Sequence, residues 1–210
     1  MITKNSMQLK AFIKNEAAKK HVSAQLVMQN YMLERLLERI SLSRYKNNFI
    51  LKGGLLISAM VGLDTRTTMD VDTTLKGISL THESISKVFK EICQVQADDD
   101  VNFEMVSLAD IREGDDYPGI RVSMRAVYSP MSVPLTVDVT TGDVITPREA
   151  EFSFPLMFED RSISIPAYNI ETVLAEKLET ILSRSTANTR VRDFYDIHIL
   201  YSLRGDKLNI

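Results

Sequence analysis

The stretch FILKGGLLISAMVGLDTRTTMDVDTTL, residues 49–75, decides the fold class. A Gly pair follows a short apolar run, and two aspartates alternate further along in MDVDTTL, so the stretch predicts strand, turn, helix and strand. Successive side chains of a strand point to opposite faces, which puts Asp70 and Asp72 on one face about 7 Å apart and turns Val71 toward the core. Carboxylates that close repel each other unless a cation lies near them.

Asp70 and Asp72 therefore predict a metal site. Hard oxygen ligands at this spacing suit Mg²⁺, which binds one or two carboxylates together with substrate phosphates. Gly53 and Gly54 come at the strand-to-helix turn, where backbone N–H groups can approach a phosphate at the positive end of the helix. Alone, an Asp-x-Asp pair is more often a solvated strand face, and a Gly pair is most often a turn. Together and in this order they indicate phosphate chemistry.

The composition limits the classes of protein that the chain can belong to. Its 210 residues are 44% hydrophobic, which suffices for one large domain or two small ones. The net charge of −3 argues against a broad basic face for nucleic acid but is compatible with a local basic patch. A single cysteine, Cys93, excludes an intramolecular disulfide and a cysteine-based metal site. A polar, lysine-rich start and the lack of a run of about 20 apolar residues predict a cytoplasmic protein without a membrane segment.

The periodicity of apolar residues divides the chain into three segments. Residues 1–45 are predicted to be helical, with Ser23 as an N-cap after a break near His21. Residues 46–167 carry the opening stretch, another helix and a block of strands, and form the predicted core. Residues 168–210 return to helical spacing. Helices, then a mixed or antiparallel sheet, then helices indicate an α+β fold.

Single residues make finer predictions within these segments. Pro155 and Pro166 predict edge positions for the last two strands, because proline cannot donate to a central ladder. In the helix that begins near residue 170, Leu178 and Leu182 belong to the predicted apolar face. In the last helix, Phe194 is predicted to face the core.

The spacing around the aspartates resembles a known motif. An apolar residue, Gly-Gly, fifteen residues and Asp-Val-Asp, with Arg66 four positions before the first aspartate, is similar to motif I of the DNA polymerase β-like nucleotidyltransferases. LKGGLLIS and RTTMDVD most resemble the AbiEii toxin branch. That branch often has Ser or Thr near the Gly pair, whereas Leu55 follows it here, so only backbone amides remain to bind phosphate at that point. The resemblance implies nucleotide binding by Gly53, Gly54 and Arg66.

The resemblance also implies a third carboxylate on a later strand. Asp138, in PLTVDVTTGD, is the best match, although alone it would be interpreted as an exposed strand residue. It would complete the metal site with Asp70 and Asp72, or accept the proton of the attacking hydroxyl. Asp143, in the following turn, is the weaker candidate.

The C-terminal segments ETVLAEKLETILSR and RDFYD carry the second part of the resemblance. AbiEii-type proteins have a helix lysine and an aspartate on the next helix at the site, so Lys177 is expected to neutralise a triphosphate. The aspartate is Asp193 or Asp196, and it would orient Lys177 or the acceptor. Without the resemblance, Lys177 would be a snorkelling residue and Asp196 a surface partner of Arg192. A small basic cluster that could steady phosphates or RNA consists of Arg184, Arg190 and Arg192.

The resemblance implies a nucleotidyltransferase, in which an acceptor hydroxyl attacks the α-phosphate of a nucleoside triphosphate and pyrophosphate leaves. Asp70, Asp72 and Asp138 would hold Mg²⁺ or Mn²⁺, and the acceptor would be RNA, above all tRNA. Family members act as toxins of toxin–antitoxin systems and in phage defence, which implies an antitoxin partner. Many relatives carry more helix after YSLRGDKLNI, so the chain is expected to be a compact member or to lack an acceptor-binding part.

Three other functions are compatible with these residues. A small-molecule nucleotidyltransferase, such as one that adenylylates an antibiotic, would use the same metal site with an acidic acceptor pocket. A sensor would bind nucleotide without releasing pyrophosphate. An interaction module would carry the two aspartates as a solvated face, and metal would leave its melting temperature unchanged.

Overall fold

A computed structural model describes residues 6–111, 119–184 and 191–204. Within these ranges, seven strands form one mixed sheet accompanied by six α-helices, which confirms the predicted α+β fold. None of the helices described there has both the length and the apolar content needed to cross a membrane. The strands are β1 (Phe49–Lys52), β2 (Val71–Leu75), β3 (Asn102–Ile111), β4 (Gly119–Tyr128), β5 (Met131–Thr140), β6 (Ala150–Pro155) and β7 (Ser162–Ala167). The helices are α1 (Ser6–Lys20), α2 (Ala24–Leu42), α3 (Gly53–Val61), α4 (His82–Cys93), α5 (Ile170–Arg184) and α6 (Val191–Arg204).

The strand order of the sheet is β3-β4-β5-β2-β1-β7-β6. β2 is parallel to β5 and β1 is parallel to β7, while the other neighbouring strands are antiparallel. The central strand β2 therefore lies between β1, which leads into the Gly pair, and β5, which carries the candidate third aspartate. The order of the strands brings the distant segments of the predicted site together.

The two faces of the sheet differ in polarity. On β5, buried apolar residues at positions 135, 137 and 139 alternate with polar side chains at positions 136, 138 and 140. The apolar face packs against α4, where Phe89 meets Phe49 of β1 edge to face with ring centroids 5.7 Å apart. Helix α4 covers this face, whereas the opposite face carries the polar side chains.

Helix α2 is buried on nearly all sides, although its sequence predicts one apolar face. Its charged residues are paired, because buried charges need partners. The guanidinium of Arg39 donates to the two carboxylate oxygens of Asp99 at 2.5 and 2.9 Å. Arg35 lies 2.8 Å from Glu159. The segment between α4 and β3 and the segment between β6 and β7 thus cover the charged side of α2 through ion pairs.

Two of three local predictions are confirmed and one is wrong. Ser23 caps α2 as predicted, and its hydroxyl accepts from the Leu26 N–H at 3.2 Å. The edge position predicted from Pro166 is wrong, since β7 lies between β1 and β6. The ladder between β7 and β1 consists of one residue pair that does not include the proline, so its missing N–H costs no bond there. Strand β6, which contains Pro155, is at the edge as predicted.

Candidate active site

Four charged side chains form a row across the polar face of the sheet. Asp72 on β2 is in register with Asp138 on β5 and with Lys52 on β1. On β4, Arg121 is in register with Asp138 and donates to its two carboxylate oxygens at 2.7 and 2.8 Å. Residues paired in register point to the same face, so two carboxylates lie at the centre of the row with a cation at each end.

Asp70 immediately precedes β2 and brings a third carboxylate to this group. The hydroxyl of Thr68 donates to Asp70 Oδ1 at 2.8 Å and orients it. Burial, followed by the charges of Asp70 and Asp138, raises the pKa of Asp72 to about 6, and a hydrogen bond from the Gly54 N–H acts in the opposite direction. Ionising Asp72 is therefore costly, and a cation beside it would remove much of that cost.

The Gly pair brings the backbone against Asp72. Gly53 has a φ of +67°, and a Cβ on it would lie 2.0 Å from Asp72 Oδ2, so both its conformation and its surroundings require glycine. A Cβ on Gly54 would lie 2.7 Å from Thr68 Oγ1. Gly53 therefore leaves room for the Asp72 carboxylate and Gly54 leaves room for Thr68, roles that sequence analysis missed. The next residue, Leu55, is buried in the core.

Lys177 on α5 is held by two aspartates of α6. Its Nζ lies 2.7 Å from Asp193 Oδ1 and 3.2 Å from Asp196 Oδ2. Asp196 also accepts from Arg66 Nε at 2.6 Å. The sequence left the choice between Asp193 and Asp196 open, and in the structure both contact Lys177. Asp196 is fully buried and is not a surface partner of Arg192.

The acidic side of α6 faces inward. Phe194, which was predicted to face the core, is 53% exposed, whereas Asp193 and Asp196 are buried. On α5, Leu178 and Leu182 of the predicted apolar face are exposed as well. These predictions are wrong because ion pairs with the cations of the site, which the periodicity of apolar residues cannot show, orient the two helices.

A cavity of about 330 Å³, here called the charged cavity, gathers most of these residues. Asp138 lies next to Asp72 but outside the lining, and Asp193 and Asp196 are not part of the lining either. Of the predicted basic cluster, Arg192 lines the cavity, whereas Arg190 and the side chain of Arg184 lie outside the described residues. Among the described residues, the lining consists of the predicted residues Gly53, Gly54, Arg66, Asp70, Asp72, Lys177 and Arg192, together with Leu26, Thr67, Thr68 and Met69.

Comparison with known families decides the class of this protein. The model of the nucleotidyl transferase AbiEii toxin family, described as a type IV toxin–antitoxin system, matches residues 35–210. The chain belongs to the AbiEii family. It is a nucleotidyltransferase, and the resemblance seen in the sequence is confirmed. No protein of curated function matches the chain.

Three solved structures share the fold of this AbiEii-family chain. A nucleotidyltransferase candidate from H. pylori has a TM-score of 0.60 at 14% identity, over 90% of this chain and 73% of its own. JHP933 from Helicobacter pylori has a TM-score of 0.59 at 13% identity, over 89% and 70%. An antigenic nucleotidyltransferase-like protein from Paracoccidioides brasiliensis has a TM-score of 0.53 at 16% identity, over 83% and 76%. At these identities the likeness concerns the fold, which is nucleotidyltransferase-like as predicted.

Sequence analysis of this AbiEii-family chain missed Lys52 and Arg121. Lys52 Nζ lies 3.0 Å from Asp143 Oδ2 and 3.2 Å from Glu176 Oε1. Asp143, the weaker candidate for the third carboxylate, thus binds this lysine. A lysine at the end of the apolar run FILK and an arginine at a polar position of β4 are visible in the sequence, but only the strand register places them beside Asp72 and Asp138.

The donor set of this AbiEii-family site suits a divalent ion only in part. Among the described residues, no group of three or more His, Cys, Asp or Glu side chains is placed to hold a metal ion. Both oxygens of Asp138 already accept from Arg121. Asp70 and Asp72 remain, and two carboxylates with substrate phosphates are a donor set that Mg²⁺ uses. The residues fit an ion held jointly with the nucleotide, and a site with three carboxylates stays a prediction.

Proposed function

We propose that this enzyme transfers a nucleoside monophosphate from a nucleoside triphosphate to a terminal hydroxyl of RNA, above all tRNA, with Mg²⁺ or Mn²⁺. One observation carries the proposal: Asp70 and Asp72 line the same cavity as Arg66, Lys177 and Arg192. Carboxylates for a divalent ion and cations for phosphate oxygens are the two parts that phosphoryl transfer needs in one place.

The charged cavity is the proposed site of the triphosphate. Lys177 and Arg66 would neutralise phosphate oxygens, and the backbone N–H groups at the start of α3, around Gly54, favour an anion. Lys177 is already oriented by its contacts at 2.7 and 3.2 Å with the two aspartates of α6. A preorganised charge does not have to reorganise when the reaction takes place, which is the main source of electrostatic catalysis.

The three carboxylates have different proposed roles. Asp70 and Asp72 are the proposed ligands of the divalent ion, which when bound would stabilise charge that develops on the phosphate oxygens. Asp138 is the proposed proton acceptor for the acceptor hydroxyl, since Arg121 orients its carboxylate and each oxygen keeps a second lone pair. The hydroxyl oxygen then bonds to the α-phosphorus, the bond to the bridging oxygen breaks, and pyrophosphate leaves.

The biological role is proposed from the family. A type IV toxin–antitoxin system implies an antitoxin for this toxin. We infer that modification of tRNA ends is the toxic activity and that it serves phage defence. The RNA acceptor is supported by Arg192, an exposed arginine at the charged cavity that is not assigned to the triphosphate, because an RNA acceptor needs a basic rim and an aminoglycoside-type acceptor needs an acidic one.

The test is label transfer from each of the four nucleoside triphosphates to total tRNA in the presence of Mg²⁺. The double variant Asp70→Ala, Asp72→Ala should transfer no label. The matched control is Asp110→Ala, because Asp110 is exposed on β3 and pairs with the exposed His82. We expect wild type and control to label RNA and the double variant to be inactive.

Other outcomes select the alternatives. Nucleotide binding that depends on Asp70 and Asp72 without label on any acceptor indicates a sensor. Label on a small hydroxyl compound but not on RNA indicates a small-molecule transferase. If neither binding nor transfer changes in the double variant, the proposed site is wrong.

A further inference from the structure

A second cavity of about 390 Å³ adjoins the charged cavity. We call it the neutral cavity; its lining includes Gln25, Met28, Met69, Ser132 and Thr136. Met69 lines both cavities and directly precedes Asp70. We propose that the neutral cavity binds the terminal nucleoside of the RNA acceptor and presents its hydroxyl to the carboxylates, an inference that rests on the proposed function.

The neutral cavity arises from an offset between two strands. The ladder of β2 and β5 begins at Val137, so residues 131–136 of β5 have no partner on β2. Helix α2 approaches this gap, and the side-chain amide of Gln29 donates to the carbonyl oxygens of Pro134 at 2.8 Å and Met69 at 3.1 Å. These bonds tie three walls together, so the cavity is formed before a ligand arrives.

The lining suits an uncharged, partly aromatic ligand. None of the described residues that line the cavity is ionisable, in contrast to the charged cavity beside it. Met28 and Met69 present polarisable side chains to a ring. Gln25, Ser132 and Thr136 supply hydrogen-bonding groups for a base edge or a ribose hydroxyl. The volume lies within the range of about 300–1,000 Å³ that is usual for small-ligand sites.

The position of the cavity matches that of an acceptor. Thr136 and Asp138 are two residues apart on β5, so their side chains share a face of the strand. A nucleoside lying along Thr136 therefore has its hydroxyl group next to Asp138, the proposed proton acceptor. In-line transfer needs the nucleophile and the leaving group at opposite ends of the α-phosphate. The neutral and charged cavities meet at Met69, directly before Asp70, so the acceptor and the triphosphate would reach the proposed metal ligands from separate cavities.

The first experiment is independent of turnover. A short RNA with 4-thiouridine as its 3′-terminal nucleoside is irradiated with the full chain, and the attachment point is mapped by mass spectrometry. We expect attachment at Gln25, Met28, Ser132 or Thr136. Attachment at the charged cavity or elsewhere overturns the inference.

The second experiment separates acceptor from donor by steady-state kinetics with total tRNA. Ser132→Phe should obstruct the neutral cavity and Met28→Ala should remove a ring contact. Each should raise KM for tRNA at least tenfold and change KM for the nucleoside triphosphate less than twofold. The matched controls are Ser153→Phe on the edge strand β6 and Met7→Ala on α1, both at exposed positions, and they should leave both constants unchanged.

The two proposals fail differently. If RNA receives no label but the photoreactive nucleoside attaches in the neutral cavity, the proposed transfer to RNA is wrong and the nucleoside site stands. If labelling depends on Asp70 and Asp72 but neither variant raises KM for tRNA, the function stands and the nucleoside site is wrong. A rise in KM for the nucleoside triphosphate instead assigns the cavity to the donor base and overturns the inference.

Discussion

Asp72→Asn should stabilise the protein while it abolishes nucleotidyl transfer. Asp72 is largely buried beside Asp70 and Asp138, and its pKa in the fold is about 6 against an ordinary value of 3.8. Asparagine has nearly the same shape and removes the charge, so the penalty for burying that charge disappears. The loss of a proposed metal ligand removes activity at the same time, as expected where stability and function conflict.

The expected magnitude follows from this pKa. At about 1.4 kcal/mol per pH unit, the pKa of about 6 corresponds to about 3 kcal/mol of lost stability at pH 7 in the metal-free protein. For a chain of this length, a gain of that size corresponds to a rise in Tm of about 6–12 °C. Thermal unfolding in EDTA, followed by circular dichroism, measures it.

The pH dependence of the free energy of unfolding tests the sign of this effect. Below pH 3.8 the carboxyl is protonated in both states and contributes no penalty. Between pH 3.8 and about 6 the folded protein retains a proton that the unfolded chain has lost, so stability falls as pH rises, and above pH 6 the penalty is complete. The advantage of Asp72→Asn should therefore shrink to about half at pH 5.

A control and a ligand complete the assay. Asp138→Asn should give no comparable gain, because Asp138 pairs with Arg121. Adding MgCl₂ with nucleotide should raise the Tm of wild type but not that of Asp72→Asn. A Tm of Asp72→Asn at or below that of wild type at pH 7 in EDTA, or a difference that does not shrink at pH 5, would refute the reasoning.

Three further variants test other parts of the site. Gly53→Ala should displace the Asp72 carboxylate, because its Cβ would lie 2.0 Å from Oδ2, and reduce transfer at least a hundredfold; unchanged kcat contradicts this. Lys177→Met should cost about 3 kcal/mol in urea unfolding, since it leaves Asp193 buried without its cation, whereas Lys177→Arg should retain most of the stability. Leu55→Thr should cost about 2 kcal/mol and give no gain in nucleotide affinity, because position 55 is in the core; tighter binding would show that a hydroxyl there reaches phosphate.

Local pattern was sufficient for much of the fold. Alternation located β2 and β5, and the Ser23 cap located the start of α2, because both depend on neighbours in the sequence. The resemblance selected Asp138 as the third carboxylate, and the parallel register places it beside Asp72. That register is a property of the sheet and could not be derived from either strand alone.

The errors in the helices have one physical origin. Apolar periodicity assigns charged side chains to the surface, but α2 and α6 bury charges that are neutralised from distant segments. Arg66 and Asp196, 130 positions apart, are the clearest pair. The periodicity predicts Phe194 in the core for the same reason, since nothing in RDFYD shows that the aspartates pair with cations from other segments. Long-range ion pairs are invisible to a pattern that compares residues within one helix.

The contacts of α6 also bear on the order in which the proposed site assembles during synthesis. A ribosome makes β1, the Gly pair and the two aspartates proposed as metal ligands early, but Lys177 and Arg66 acquire their carboxylate partners only when residues 193–196 have emerged. The contact between Arg66 and Asp196 spans 130 positions, so a long stretch of chain must be closed into a loop before it can form. A nascent chain that already carries the DVD strand therefore still lacks an oriented lysine, and under the role proposed for Lys177 its transfer activity begins only after α6 has docked.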